Sequence, residues 1–190
     1  MGAKNVVVHP FQKGSYIIDS EILFEQNIKF FRALIPFCQE YDVKVAIENM
    51  VWVDSRGRRC DGVCAVPQEF KRYIETLDSP YITGCLDFGH LTLCQKEPQD
   101  VLRYLGKDIV TCLHVHDNDY LSDKHTLPCS MNMDWDEICK ALADIGYTGD
   151  FTLECDNFLL RFNKEFAFTA LKFMCDVAKY LVEKIEEFKN

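Results

Sequence analysis

The sequence predicts an α/β protein built on a parallel β-sheet. Short apolar runs alternate with longer segments of helical periodicity along the chain, an order typical of parallel sheets because a helix must link each strand to the next. The apolar runs are rich in Val, Ile and Cys and almost uninterrupted, as in strands that are covered on both faces. A polar residue stands at the end of each run, where parallel strands bring such residues together.

These patterns predict five strands and five helices in alternation. Pro67 and Pro98 stand in the first turn of two helical segments, where proline is tolerated because its missing N–H has no helical partner. Asp134 is placed to cap the start of a third helix. The predicted strands are Asn5–His9, Val43–Glu48, Ile82–Asp87, Ile109–His116 and Asp150–Glu154. The predicted helices are Glu21–Glu40, Pro67–Leu77, Pro98–Leu105, Asp134–Ile145 and Lys164–Phe188.

The last predicted helix carries a stripe of apolar side chains. They recur every three to five positions, which is the pattern of an amphipathic helix. We expect this stripe to pack against the core rather than to form a binding site. Its members are Phe166, Leu171, Met174, Val177, Leu181 and Ile185.

The composition is that of a globular domain. The 190 residues are 48% hydrophobic and 27% charged, and this length corresponds to about one domain, covering residues 1–190. No apolar run approaches the roughly 18 residues that span a bilayer, and the first residues lack the basic flank and apolar core of a signal peptide. We therefore expect a cytoplasmic protein with no membrane partner, and ten cysteines that remain thiols.

The charge balance argues against nucleic acid as a partner. Lys and Arg number 21 against 30 Asp and Glu, a net charge of −9. Nucleic acids bind proteins largely by releasing counterions to basic side chains, and this chain offers few in excess. Residues 56–59 are the only dense basic cluster in the sequence, and we expect a solvated loop there.

Potential metal ligands end every predicted strand. A lone Glu or His at a strand end is usually a solvated loop residue, but here the feature recurs on each strand. Buried carboxylates need a cation or hydrogen-bond partners to offset lost hydration. A set rich in carboxylates suits one divalent ion, Mn²⁺, Mg²⁺ or Co²⁺, with Zn²⁺ as an alternative. The strand-end residues are His9, Glu48, Asp87, His90, His114, His116, Asp117 and Glu154.

The motifs at these strand ends resemble the xylose isomerase-like TIM barrel superfamily. That group contains sugar phosphate isomerases and epimerases and, more distantly, endonuclease IV. The resemblance covers essentially the whole chain, and the order of the five motifs is more specific than any one of them. They read Val-Val-Val-His9-Pro, Val-Ala-Ile-Glu48-Asn-Met, Leu-Asp87-Phe-Gly-His90, Leu-His114-Val-His116-Asp117-Asn and Thr-Leu-Glu154.

The resemblance implies a metal centre with catalytic carboxylates. Glu48, Asp87, His114 and Glu154 would bind one divalent ion. Glu48 and Glu154 would also be the catalytic pair, one removing a proton from the substrate and the other returning it.

The resemblance also implies a set of substrate contacts. His9 and the pair Asp123 and His125 match positions that bind additional metals in endonuclease IV-like members, whereas in many sugar-active relatives they line the pocket. His116 would face the pocket or support a metal ligand, and Trp52 would form an apolar wall or pack in the core. The expected substrate-binding residues are His9, His90, His116, Asp117, Asp123, His125 and Trp52.

The fold implied by the resemblance is an incomplete TIM (β/α)₈-type barrel. Such a barrel takes about 250 residues, and the first motif, ending in His9, resembles the third strand of the family. We therefore expect the first two βα units to be lacking. No strand is recognisable between His114 and Glu154. Because a barrel that lacks strands has open edges, we expect a homo-oligomer that covers the open side.

Three functions remain open from the sequence. The first is a metal-dependent isomerase or epimerase of a sugar, sugar phosphate or polyol-derived ketone, working by proton transfer through a metal-bound enediolate. The second is an endonuclease IV-like multi-metal phosphodiester hydrolase, and the third is an inactive barrel fragment. The ketose 3-epimerases place an arginine shortly after the metal-binding histidine. This chain departs from them with Asn118, Asp119 and Tyr120.

Overall fold

The structure is a computed structural model that describes residues 2–12 and 16–189, the side chains of residues 16–19 excepted. The strands are β1 (Asn5–Val8), β2 (Lys44–Glu48), β3 (Val51–Val53), β4 (Arg59–Asp61), β5 (Ile82–Asp87), β6 (Val110–Val115) and β7 (Asp150–Leu153). The helices are α1 (Tyr16–Tyr41), α2 (Pro67–Leu77), α3 (Phe88–Leu93), α4 (Pro98–Leu105), α5 (Trp135–Asp144), α6 (Asp156–Leu159) and α7 (Lys164–Phe188).

The main sheet has five strands in the order β1-β2-β5-β6-β7, and every neighbouring pair is parallel. This confirms the predicted fold class and all five predicted strands. The five predicted helices are also present, with Pro67 and Pro98 in their first turns and Asp134 accepting a hydrogen bond from Glu137 N. The sequence did not predict the β3–β4 hairpin, α3 or α6, because elements of three to six residues are too short to establish a period.

The sheet curves as half of a barrel. The side chains of Asn5 on β1 and Asp150 on β7 meet although these strands are the two edges of the sheet, with Asn5 Nδ2 donating to Asp150 Oδ2 at 2.6 Å. Neighbouring strands of an eight-stranded barrel are about 45° apart around the axis, so strands four steps apart face each other across the interior. The five strands therefore have the curvature of an eight-stranded barrel.

The sheet is three strands short of that barrel, eight less the five observed. β6 pairs directly with β7, His114 lying opposite Thr152. Among the described residues, no strand of the main sheet lies between β6 and β7, in agreement with the lack of a further recognisable strand in this part of the sequence.

The core lies between the sheet and its outer layer of helices. β5 is central, and each of its residues is buried, because helices cover one face and the curved sheet encloses the other. The enclosed face carries the small side chains Ala46, Cys85 and Cys112 in contact with one another. The fully buried side chains of the outer core include Phe31, Phe70, Tyr73, Leu86, Leu113 and Leu142.

The predicted apolar stripe of α7 is only partly buried. Met174, Leu181 and Ile185 are buried, and α7 packs against α5. The expectation was wrong for Phe166 and Leu171, which are 58% and 45% exposed. Leu171 lies about 80° around the helix from the direction midway between the buried Ala170 and Met174, and Phe166 lies in the first turn of α7, before its first buried residue, Ala170.

The basic cluster forms the exposed turn of the β3–β4 hairpin. Asp54 accepts hydrogen bonds from the backbone of Arg56 and Arg58 and pairs with the Arg58 guanidinium at 2.7 Å. All ten cysteines are unpaired, and seven of them are buried. Among the described helices, none combines the length and apolarity that a bilayer crossing requires.

Candidate active site

Four potential metal ligands come from consecutive strands of the sheet. Glu48 and Asp87 end β2 and β5, His114 lies near the end of β6, and Glu154 directly follows β7. Side chains two residues apart in a strand share a face, so these four extend the enclosed face lined lower down by Ala46, Cys85 and Cys112. The parallel register therefore brings all four to one rim of the half-barrel.

The imidazole of His114 lies at the centre of this group. Its Nδ1 is 3.1 Å from Glu154 Oε2, 3.4 Å from Glu48 Oε2 and 3.9 Å from Asp87 Oδ2. One ligand atom from each of the four residues lies within 4.8 Å of all the others. Two ligands about 2.1 Å from one ion, on opposite sides of it, are about 4.2 Å apart. The four atoms therefore need only a small contraction to share a cation.

Three of these ligand atoms lack hydrogen bonds. Glu48 Oε2, His114 Nδ1 and Glu154 Oε2 are buried and have no hydrogen-bond partner among the described residues. They face one another at short range, but the angles between them are not those of hydrogen bonds. Leaving buried polar atoms unsatisfied is costly, and a bound cation would satisfy all three. Three carboxylates and one imidazole suit a hard divalent ion such as Mn²⁺ or Mg²⁺.

Asn49 holds the ends of β2 and β5 together. Its side-chain Nδ2 donates to Asp87 O at 3.0 Å, and its Oδ1 accepts from Asp87 N at 2.7 Å. Its own carbonyl oxygen lies 2.8 Å from His90 Nδ1, so that nitrogen carries a proton. The sequence reasoning missed Asn49; its position directly after the strand-end Glu48, in an otherwise apolar segment, was the available signal.

A second cluster of expected site residues lies beside the first. Asp123 Oδ2 is 3.1 Å from His125 Nε2 and 3.5 Å from His90 Nε2. The His125 ring stacks against the His116 ring with centroids 4.5 Å apart. His9 Nε2 approaches from β1 to 3.1 Å from Glu48 Oε2. The structure thus brings these expected substrate contacts to the rim that carries the four potential ligands.

The expected site residue Asp117 is placed differently from these residues. Asp117 is fully buried, and its carboxylate is used by the following loop. It accepts hydrogen bonds from three backbone N–H groups, those of Asn118, Met131 and Met133, and from Trp135 Nε1. No described hydrogen bond or ion pair joins it to the other candidate residues. Trp52 is half-buried in the β3–β4 hairpin, where it pairs with Cys60.

The close approach of these side chains changes the pKa values of two potential metal ligands, His114 and Asp87. Burial alone would lower the pKa of His114, but the neighbouring Cys85, Glu154 and Glu48 raise that pKa well above its usual range. Burial opposes ionisation of Asp87, yet the charge of His90 and the hydrogen bond from His116 lower the pKa of its carboxyl. The raised pKa favours a protonated His114 in the metal-free site, and a cation bound at Nδ1 would displace that proton.

The chain is similar to a known protein family and to individual proteins from several bacteria and an archaeon. The family described as Xylose isomerase-like TIM barrel matches residues 1–176. An uncharacterized protein of Sinorhizobium fredii is 29% identical over 160 residues, which cover 81% of this chain and 48% of that protein. A mannonate dehydratase of Thermotoga petrophila is 31% identical over 144 residues, covering 70% of this chain and 38% of that protein. The chain spans about half the length, or less, of these relatives.

Solved structures share the fold at low sequence identity. A D-tagatose 3-epimerase-like protein superposes with a TM-score of 0.72 at 22% identity, covering 96% of this chain and 64% of that one. The IOLI protein, solved with a binding zinc atom, superposes with a TM-score of 0.70 at 17% identity, covering 98% of this chain and 64% of that one. Both likenesses extend over nearly the whole of this chain and about two thirds of each of the other chains.

Proposed function

The chain belongs to the xylose isomerase-like TIM barrel family, and on that basis we propose that its half-barrel rim is the site of a metal-dependent isomerase or epimerase of small sugars or sugar-derived ketones. The observation that carries the proposal is the convergence of four donor atoms, three of them buried and unsatisfied. The proposed ligands of one divalent ion are Glu48, Asp87, His114 and Glu154.

Two of these carboxylates are the proposed proton carriers. Glu48 Oε2 and Glu154 Oε2 lie 3.4 Å and 3.1 Å from His114 Nδ1. A substrate held at the rim would meet both carboxylates, so that one removes a proton from the carbon beside a carbonyl and the other returns a proton to the neighbouring atom or the opposite face. A divalent ion at this site would polarise the carbonyl and stabilise negative charge on its oxygen.

The family and the second cluster both favour a polyhydroxylated substrate. The relatives' names refer to a sugar acid, mannonate, and a ketose, tagatose. His90, Asp123 and His125 offer hydrogen-bonding groups at the same rim, as recognition of a polyhydroxylated molecule requires.

Ketose 3-epimerisation itself has less support. In this chain, the residues at the positions where those epimerases have an arginine form hydrogen bonds to other residues of the protein. Asn118 Nδ2 donates to Gly89 O and Thr92 Oγ1, and Tyr120 Oη donates to Glu97 Oε2 at 3.2 Å. We therefore propose the class of reaction rather than this member of it.

Proton exchange with solvent tests the proposal without knowledge of the product. The protein is incubated with Mn²⁺ in D₂O with a panel of ketoses, aldoses and sugar acids, and deuterium is followed by NMR. We expect deuterium at the carbon beside the carbonyl of at least one substrate, and no incorporation when EDTA removes the ion. Absence of exchange from a protein that has bound its metal would contradict the proposed function.

A second candidate function is an endonuclease IV-like phosphodiester hydrolase with several metal ions. The specific observation in its favour is the placing of Asp123 between His90 and His125, together with His9 beside Glu48. The two candidates differ in metal content. About three Zn²⁺ per chain would favour the hydrolase, and a single divalent ion would favour the isomerase or epimerase.

A further inference from the structure

His116 is fully buried directly behind the proposed metal ligand Asp87. It lies two residues after His114, just beyond β6, and has no exposed surface. Its Nε2 is 3.2 Å from Asp87 Oδ1 and 3.3 Å from Asp87 Oδ2. Because a carboxylate only accepts, this nitrogen carries the proton that makes the bond.

The fold provides a fitted slot for the His116 ring. Gly89, in the first turn of α3, lies against it so closely that a Cβ there would be 2.0 Å from His116 Cε1. The carbonyl of Gly89 is fixed in turn by Thr92 Oγ1 at 2.9 Å and by Asn118 Nδ2 at 3.2 Å. The ring also packs against the His125 ring, at an interplanar angle of 36° and with centroids 4.5 Å apart. Any larger residue at position 89 would displace the imidazole.

The Asp87 carboxylate is held by two donors. His116 Nε2 lies almost equally close to both of its oxygens, and Oδ1 also accepts from His90 N at 2.7 Å. Oδ2 is the oxygen that faces His114 Nδ1, at 3.9 Å. These two donors restrict rotation of the carboxylate and keep Oδ2 directed at the other three ligands.

We propose that His116 is a positioning residue, which orients Asp87 for metal binding from the slot beside Gly89 and does not contact substrate. The inference rests on the proposed function, since it needs a metal ion at the four-residue site. It decides between the two roles that the sequence left open for this histidine. Hydrogen-bond partners behind metal ligands typically affect metal affinity by about 10–100-fold.

Variants of His116 test the role through metal affinity. His116→Gln keeps an N–H donor at nearly the same reach, His116→Asn keeps the donor but shortens the reach, and His116→Leu removes it. We expect Mn²⁺ affinity, measured by calorimetry, to stay within about threefold of wild type for the Gln variant and to fall about 10–100-fold for the Asn and Leu variants. The absorption spectrum of bound Co²⁺ should change in the same order, because it reports coordination geometry.

Wild-type Mn²⁺ affinity in both the Asn and Leu variants would overturn the inference and leave the proposed function intact. An equal loss in all three variants would also overturn it, because a structural role would not discriminate by reach. Circular dichroism of the metal-free variants checks folding, and if His116→Leu does not fold, the Gln and Asn pair decides. Failure of the wild-type protein to bind Mn²⁺ would instead contradict the proposed function itself.

Discussion

Replacing Glu48 or Glu154 by Gln is expected to abolish deuterium exchange into substrate, by about 10³-fold or more. The amide cannot accept a proton, and general base catalysis by a carboxylate contributes about 10²–10⁴-fold. Glu48 is 1% exposed and its Oε2 has no hydrogen bond among the described residues, so the Gln side chain fills the same space. The rate is measured by NMR in D₂O at Mn²⁺ concentrations that saturate each variant.

Glu21→Gln provides the matched control. It makes the same chemical change on α1, where Glu21 pairs with Arg72 on the surface at 2.7 Å, and we expect unchanged exchange. Both site variants should remain folded by circular dichroism. Wild-type exchange in either Glu48→Gln or Glu154→Gln, with metal bound, would rule out that carboxylate as a proton carrier.

Asp117→Leu is expected to destabilise the protein by about 3 to 5 kcal/mol. The carboxylate accepts four hydrogen bonds in a fully buried position, one of them from the Trp135 indole. Leucine of similar size leaves these donors without acceptors, and each unsatisfied buried donor costs about 1–3 kcal/mol before the loop relaxes. The free energy of unfolding is measured by urea denaturation of the metal-free protein, so that metal binding does not contribute.

Asp119→Leu is the control for that measurement. Asp119 lies in the same loop and accepts from the backbone of Leu121 and Ser122, but it is partly exposed, so water can replace it and we expect a much smaller loss. If Asp117 were a substrate ligand, as the sequence suggested, Asp117→Leu would leave stability near wild type and impair only substrate turnover. That outcome would refute the role of Asp117 as the buried hydrogen-bond acceptor that stabilises the loop.

The sheet and the polar residues at its strand ends were predictable from sequence because both follow from short-range pattern, whereas the choice of the four proposed ligands among those residues followed from the family resemblance. A buried parallel strand is an uninterrupted apolar run, and its end is marked by the first polar residue, as at Glu48 and Asp87. Parallel register then fixes which residues become neighbours. Asp87 lies opposite His114 in the sheet, so two motifs distant in sequence form one site without further information.

The roles of Asp117 and His116 could not be predicted, because they depend on contacts between residues distant in sequence. Asp117 follows the same strand as His114 and has the same chemistry as a ligand, but its carboxylate turns into the loop because Trp135 and three backbone donors satisfy it there. His116 shares the face of His114, yet only the absence of a side chain at Gly89 lets its ring lie behind Asp87. A polar residue near a strand end has the same type and spacing whether it binds a metal ion or supports the surrounding structure. Only its contacts in the folded protein distinguish the two roles.

Calorimetric titration of the metal-free protein with Mn²⁺, near pH 7 and in buffers of different ionisation enthalpy, tests the central claim most directly. We expect one ion per chain and release of about one proton, because the pKa of His114 is raised in the metal-free site and the ion must displace its proton. Affinity should therefore fall as the pH is lowered. His114→Gln should weaken binding by about 100-fold or more. Absence of binding to the wild-type protein, or equal affinity in His114→Gln, would contradict the account.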